Sequence, residues 1–107
     1  MNPNDDCRRE STFIYFLTVR GAKDDRDAWG KSDFDVLKAH ANRLRIDAQR
    51  GAVLFAGRTD LPLRESTGIV VYCADSFAAA QDYANSDPAV LAGLMNARVA
   101  EFNPFIS

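Results

Sequence analysis

The sequence predicts an α+β domain whose elements follow one another in the order βαββαβ. Three features indicate this fold: aromatic and β-branched runs of strand length, two segments with an apolar residue every three or four positions, and glycine or proline between them. The chain of 107 residues is 47% hydrophobic and 26% charged, which is typical of one globular domain. A chain of this size can bury its own core without disulfides or a structural metal.

The first half of the chain is expected to contribute a leader, a strand, a loop and a helix. Residues 1–11 are polar and lack periodicity, which predicts a disordered leader before a single domain at 12–107. The aromatic and β-branched residues 12–19 form the first strand, and the charged residues 21–31 form a loop. A helix follows, because five apolar residues recur at helical spacing: Phe34, Leu37, Ala41, Leu44 and Ala48.

The boundaries of both helices are expected at residues with capping chemistry. Ser32 or Asp33 caps the first helix, because a short side-chain oxygen accepts from a free amide of the first turn. A second helix begins after Asp75 or Ser76, and Pro88 interrupts it because proline lacks the amide proton. The remaining strands are predicted at residues 52–56, 68–74 and 96–102. This order is that of the ferredoxin-like arrangement, a four-stranded antiparallel sheet with both helices on one face.

The charge and cysteine content exclude several classes of function. Thirteen basic and fifteen acidic residues give a net charge of -2, so a nucleic-acid partner, which needs phosphate neutralisation, is not expected. No run approaches the ~18 apolar residues of a membrane helix, and the N-terminus lacks a signal-peptide pattern. Cys7 and Cys73 have the spacing of neither a disulfide framework nor a metal site. We therefore expect a cytoplasmic protein without a metal and without a membrane partner.

The apolar pattern of the strands predicts a second copy of the chain as a partner. Two helices cover only one face of a four-stranded sheet, yet the first three strands are apolar on both faces. Tyr15 and Phe16 point to opposite faces, and Val53 and Phe55 are expected to share a face opposite Leu54. Burial of such a patch at about 25 cal/mol per Å² favours a homodimer packed sheet against sheet, or a higher oligomer containing it. The alternative is a face covered by the leader and the loop.

His40, the one histidine of the sequence, is the first candidate for proton-transfer chemistry. It lies at the border of the apolar stripe, three residues after Leu37 and four before Leu44, so its ring leans toward the sheet. Imidazole exchanges protons near neutral pH and acts as a general base when a partner fixes its tautomer and one nitrogen faces a cavity. The alternative is a structural histidine bonded to a backbone carbonyl.

Asp87, in Ser86-Asp87-Pro88, is the candidate partner of that histidine. Pro88 biases the preceding residue away from helical geometry, so the carboxylate lies at a bend where the two helices can meet. A carboxylate that accepts from one imidazole nitrogen raises the basicity of the other. The alternative is plain capping, in which Ser86 or Asp87 caps a turn that has proline at its first position.

Other conspicuous residues are interpreted as structural. The acidic run at residues 24–27 lacks the ligand spacing of a cation loop and is typical of a solvated charge run. Cys73 is interpreted as a small apolar residue at the end of a strand rather than a nucleophile. Trp29 is interpreted as a loop anchor over the apolar edge, with stacking on a ligand as the alternative.

Five segments in the expected order give the chain a specific resemblance to a known family. They are residues 37–44, 51–57, 68–76, 86–88 and 102–105. From about residue 12 to residue 106 the chain resembles the YciI-like (YCII-related) family. The resemblance implies a dimeric α/β-barrel related to muconolactone isomerase-type proteins, and a His/Asp active site that by motif falls on His40 and Asp87. Arg58 and Ala89 depart from the family pattern, which often has proline and an aromatic residue there, and this departure makes Arg58 a candidate anion contact.

Two functions of different classes remain open. The first is a small-molecule lyase or isomerase in which His40, oriented by Asp87, transfers a proton next to a carbonyl without a cofactor. A dehydrochlorinase of aromatic catabolism resembles the family, so related metabolites are candidate substrates. Four residues are expected to bind the substrate: Tyr15, Phe55, Arg58 and Ser86. The second function is a non-catalytic module that holds a metabolite or has a structural role as a dimer.

Overall fold

A computed structural model describes residues 11–106, so all but the last residue of the expected leader lies outside the described residues. The strands are β1 (Ser11–Val19), β2 (Val53–Arg58), β3 (Gly68–Ala74) and β4 (Met95–Glu101). The helices are α1 (Lys31–Gln49), α2 (Phe77–Asn85) and α3 (Pro88–Leu91). Short 3₁₀ turns occupy Gly21–Lys23, Arg26–Ala28 and Leu63–Glu65.

The four strands form one sheet in the order β2-β3-β1-β4, and every neighbouring pair is antiparallel. β1 and β3 are therefore the central strands, and β2 and β4 are the edges. This topology confirms the predicted α+β fold with the order βαββαβ. Both α1 and α2 pack on the same side of the sheet, which is called the helix face below. The opposite side is called the outer face.

The hydrophobic core lies between the helix face and the two long helices. Tyr15 of β1 and Tyr72 of β3 are fully buried there, with Leu44 of α1 above them. α2 contributes only small core residues, Ala80 and Ala84, which are also fully buried. These alanines let the helix approach the sheet closely enough for the Tyr72 hydroxyl to donate to the carbonyl of Ala80 at 2.7 Å. The buried tyrosine thus keeps a hydrogen bond.

A β-bulge in β2 changes which of its side chains face the core. Val53 pairs with Tyr72 on the helix face and is 3% exposed, whereas Phe55 pairs with Val71 on the outer face and is 52% exposed. The register shifts between Val53 and Phe55, because a bulge inserts one extra residue and reverses the alternation. The expectation that Val53 and Phe55 share a face is therefore wrong. Arg58, beyond the bulge, pairs with Gly68 and lies on the helix face.

α1 begins earlier than its apolar stripe suggests. Its N-cap is Gly30, so neither Ser32 nor Asp33 holds the capping position that the sequence predicts. Asp33 acts instead from the third position of the helix, where its carboxylate accepts from the Gly30 amide at 2.9 Å and from Lys23 Nζ at 3.0 Å. These two hydrogen bonds lower the pKa of Asp33. Glycine has no side chain to cap the helix, but the Asp33 side chain inside the helix satisfies the free amide of Gly30.

The loop between β1 and α1 packs on the helix side of the sheet. Trp29 is buried at 8% exposure, its Nε1 donates to the carbonyl of Lys23 at 2.9 Å, and its ring lies 5.2 Å from that of Phe34. Trp29 therefore anchors the loop against the start of α1. These contacts argue against the alternative in which this loop covers the outer face.

Cys73, next to the end of β3, forms a disulfide. The interpretation of Cys73 as a small apolar residue outside any disulfide framework is therefore wrong, and cysteine content no longer supports the inference of a reducing compartment. Among residues 11–106, no helix has both the length and the hydropathy needed to cross a bilayer.

Candidate active site

The candidate site forms where the middle of α1 meets the break between α2 and α3. Asp87 is the N-cap of α3, with extended backbone geometry, and its Oδ1 accepts from the Ala89 amide at 2.9 Å. Pro88 occupies the first helical position, where its missing amide proton costs nothing. Capping fixes the Asp87 carboxylate at the break, and α1 brings His40 to it. The capping and functional interpretations of Asp87 therefore describe the same side chain.

His40 and Asp87 form a direct side-chain pair. Nδ1 of His40 lies 2.8 Å from both carboxylate oxygens of Asp87. A carboxylate accepts hydrogen bonds and a neutral imidazole carries one proton, so the pairing places that proton on Nδ1. Nε2 is then left with its lone pair, and no hydrogen bond to Nε2 occurs among the described residues. In this tautomer the imidazole can act as a general base through Nε2.

The Asp87 carboxylate is completely buried and accepts from three groups on three different elements. Besides His40 and the Ala89 amide, the Tyr15 hydroxyl of β1 donates to Oδ2 at 2.6 Å. Burial by itself raises the pKa of Asp87, but the hydrogen bonds from His40, Tyr15 and the Ala89 amide, with the electrostatic attraction of His40, outweigh it and hold the pKa below its usual value. Asp87 is therefore a permanent anion at neutral pH.

Tyr15 holds Asp87 from the sheet side. Its side chain is 0% exposed, and burial together with the neighbouring Asp87 charge raises its pKa far above the usual value for tyrosine. The hydroxyl therefore keeps its proton and donates. Its ring packs 5.3 Å from that of Tyr72 and 6.2 Å from that of Tyr83. This aromatic cluster excludes water from the back of the carboxylate.

A cavity of about 360 Å³ opens in front of His40, between α1 and the helix face of the sheet. Its walls are mainly apolar and include Leu17 of β1, Leu37 of α1 and Val70 of β3. The His40 side chain lines this cavity and is 14% exposed, whereas Asp87 does not line it. The arrangement places the imidazole between a buried anion and an accessible hollow, which suits proton transfer to or from a bound molecule.

The structure brings together some of the residues expected at the site and separates others. Arg58 lines the cavity with His40. Tyr15 contacts Asp87 and lies outside the cavity lining. Phe55 is on the outer face, where the bulge directs it. Ser86 is exposed, caps the end of α2 and donates to the carbonyl of Asp82 at 2.7 Å.

Four cavity residues come from irregular segments: Arg26, Trp29, Leu63 and Ser66. The sequence offers a ligand contact only for Trp29, as the alternative to a loop anchor, and the other three were not expected at the site. Helix and strand periodicity carries no signal for such positions, because tertiary packing decides where a loop residue lies. One local signal exists, since Trp29 is the single large apolar residue in a charged loop. Within residues 11–106, no group of three or more His, Cys, Asp or Glu residues is arranged to hold a metal ion.

Comparison with solved structures supports the fold. The chain is similar to 5-chloro-2-hydroxyhydroquinone dehydrochlorinase from Burkholderia phenoliruptrix, which was solved in complex with 2,5-dihydroxybenzoquinone. The TM-score is 0.64 at 16% sequence identity, and the match covers 86% of this chain and 93% of the other. This likeness is one of fold.

Comparison with known sequences supplies the family. No curated protein sequence matches the chain. The family model of the YCII-related domain matches residues 15–103, which include the second half of β1, all of β2 to β4, and both His40 and Asp87. The chain therefore belongs to the YCII-related family.

Proposed function

We propose that the protein is a cofactor-independent lyase or isomerase that moves a proton on a small molecule bound in the cavity. The observation that carries the proposal is the 2.8 Å contact between His40 Nδ1 and the buried Asp87, with His40 lining the cavity. His40 is the general base, Asp87 orients it, and Tyr15 is a positioning residue that acts through Asp87. The pair therefore combines a base with the group that orients it.

The proposed reaction begins with removal of a proton from a carbon next to a carbonyl. The Nε2 lone pair of His40 takes the proton, and the electrons of the broken C–H bond pass to the carbonyl oxygen and form an enolate. The imidazolium is stabilised by the adjacent Asp87 carboxylate. In an isomerisation the same proton returns to a different carbon. In an elimination the enolate electrons expel a leaving group with its bonding pair, and the imidazolium releases its proton to solvent.

The structural neighbour supports the elimination branch. It is a dehydrochlorinase, and removal of hydrogen chloride combines loss of a proton with loss of an anionic leaving group. One base beside the cavity is sufficient for that step, and His40 lies in this position. The shared fold by itself says little about chemistry, so the proposal depends on His40 and Asp87 rather than on the neighbour.

The outer face supports a second part of the proposal, a homodimer packed sheet against sheet. Phe55 is 52% exposed there, and Phe16 and Ile69 are half-buried on the same face. Ile14 and Val71 on this face are already buried within the single chain, so the apolar surface left for a partner lies around Phe55. Association would remove this surface from water.

Turnover should depend on both members of the pair. NMR in deuterated solvent over a panel of small carbonyl compounds detects proton abstraction as deuterium incorporation when the abstracted proton exchanges with solvent, as isomer signals when it returns to another carbon, and as product signals after elimination. The rate of these three changes together is called the exchange rate below. We expect His40→Ala and Asp87→Asn to lower the exchange rate by about 10²–10⁴-fold, because each removes the oriented base. Tyr15→Phe should have a smaller effect, because it removes one of three donors to Asp87.

The matched control is Asn42→Ala, an exposed position two residues from His40 on the same helix. It should leave the exchange rate unchanged. Equal rates in the wild type, His40→Ala and Asp87→Asn would contradict the proposal. A wild-type protein that exchanges no compound of the panel would favour the non-catalytic binding module.

Acid should destabilise the protein through Asp87. A carboxyl whose folded pKa is lowered contributes stability above its unfolded pKa of about 3.9, and this contribution is lost as the pH falls through the folded value. We expect the free energy of unfolding in urea to decrease below about pH 4, and Asp87→Asn to flatten this dependence and to cost about 2–4 kcal/mol at neutral pH. The exposed Asp60→Asn is the control. An unchanged acid limb in Asp87→Asn would contradict the assignment.

The homodimer is tested by light scattering after size-exclusion chromatography. The wild type should have twice the chain mass, and Phe55→Glu should be monomeric because it places a charge in the apolar contact. Leu91→Glu, at a position of α3 that is 73% exposed, should remain a dimer. A monomeric wild type, or a dimeric Phe55→Glu, would argue against this interface.

A further inference from the structure

Two arginines at the same cavity have no acidic partner among residues 11–106. Arg26, in the turn Arg26–Ala28, and Arg58, at the end of β2, both line the cavity in front of His40. The ion pairs of the described residues use other cations: Lys23, Lys31, His40 and Arg50. No Asp or Glu of the described part of the chain lines the cavity, although the chain has fifteen acidic residues and a net charge of -2. The cavity is thus locally cationic in an acidic protein.

Arg26 is held in position before any ligand arrives. Its guanidinium lies 4.9 Å from the centre of the Trp29 ring, within the range of a cation–π contact. Trp29 is in turn fixed by its hydrogen bond to the carbonyl of Lys23 and by its contact with Phe34. The cost of ordering this arginine on ligand binding is therefore reduced.

Arg58 reaches the cavity through the strand geometry of β2. Because of the bulge between Val53 and Phe55, the side chains of Ala56 and Arg58 lie on the helix face. Without that extra residue, the guanidinium would point to the outer face. Arg26 comes from the loop before α1, so two segments distant in sequence supply the two cations.

We propose that the cavity takes a small organic carboxylate, with its carboxylate at Arg58 and Arg26 and its apolar body against Leu17, Leu37 and Val70. A guanidinium matches a carboxylate with two parallel hydrogen bonds. A water molecule takes about 30 Å³ in the liquid. If each non-hydrogen atom of the ligand takes about the same volume, a cavity of about 360 Å³ has room for a carboxylate with a body of about one ring. This inference rests on the proposed function only for the orientation of the reactive carbon toward His40.

Binding of simple probes tests the carboxylate preference without turnover. Benzoate and benzamide have similar shape and differ in charge, and cyclohexanecarboxylate and its amide form a second pair with a non-aromatic body. Affinities are measured by heteronuclear NMR titration, in which shifts of cavity residues identify the site. We expect each carboxylate to bind the wild type at least about tenfold more tightly than its amide, and more weakly as salt is raised.

Variants assign the preference to particular side chains. Arg58→Gln should weaken carboxylate binding by about 10–100-fold and leave amide binding within about twofold, because hydrogen bonds to charged groups contribute about 1.5–3 kcal/mol. Arg26→Gln should also weaken carboxylate binding. Arg64→Gln removes an exposed arginine that does not line the cavity and should change neither affinity.

His40→Ala separates this inference from the proposed reaction. Carboxylate binding should persist in His40→Ala even though proton transfer is lost. If the wild type prefers carboxylates but has no measurable exchange rate, the carboxylate site is supported and the proposed reaction is contradicted. Equal binding of acid and amide, no carboxylate binding at millimolar concentration, or unchanged binding in Arg58→Gln would each overturn the carboxylate site.

Discussion

The buried negative charge of Asp87 is the constraint on which the rest of the structure depends. An unpaired carboxylate inside a protein costs several kcal/mol, and Asp87 avoids this cost by accepting from His40, Tyr15 and the Ala89 amide. These donors come from α1, from the central strand β1 and from the first turn of α3. The hydrogen bonds that join α1, β1 and α3 at this point are therefore the same ones that orient the imidazole.

The order of charges along the site suits a reaction at its centre. The Asp87 anion lies behind His40, and two guanidiniums line the cavity in front of it. The anion behind favours a proton arriving on the imidazole, and the cations in front favour negative charge on a bound molecule. Both effects act in the direction of proton transfer from ligand to His40. The mainly apolar walls of the cavity screen these charges less than bulk water does, which strengthens each electrostatic contribution.

The fold and the contact between His40 and Asp87 were largely predictable from the sequence, whereas the cavity was not. Strand and helix periodicity predicts the βαββαβ order, and Pro88 after Asp87 predicts a carboxylate at a bend that α1 can reach. The bulge in β2 has no signal in an apolar run, so the face of Phe55 was predicted incorrectly. Arg26 and Trp29 reach the cavity through loop packing, which local sequence does not specify. Tyr15 was expected to line the cavity, and its hydroxyl instead contacts Asp87.

The central claim is that Asp87 fixes the proton of the neutral His40 ring on Nδ1 and leaves Nε2 as the base. Heteronuclear NMR of the imidazole nitrogens measures this tautomer directly, because a protonated and an unprotonated ring nitrogen differ widely in chemical shift. The account predicts a protonated Nδ1 and an unprotonated Nε2 in the wild type, and a redistribution toward protonated Nε2 in Asp87→Asn. A wild-type ring with its proton on Nε2, or a tautomer that is unchanged in Asp87→Asn, would contradict it.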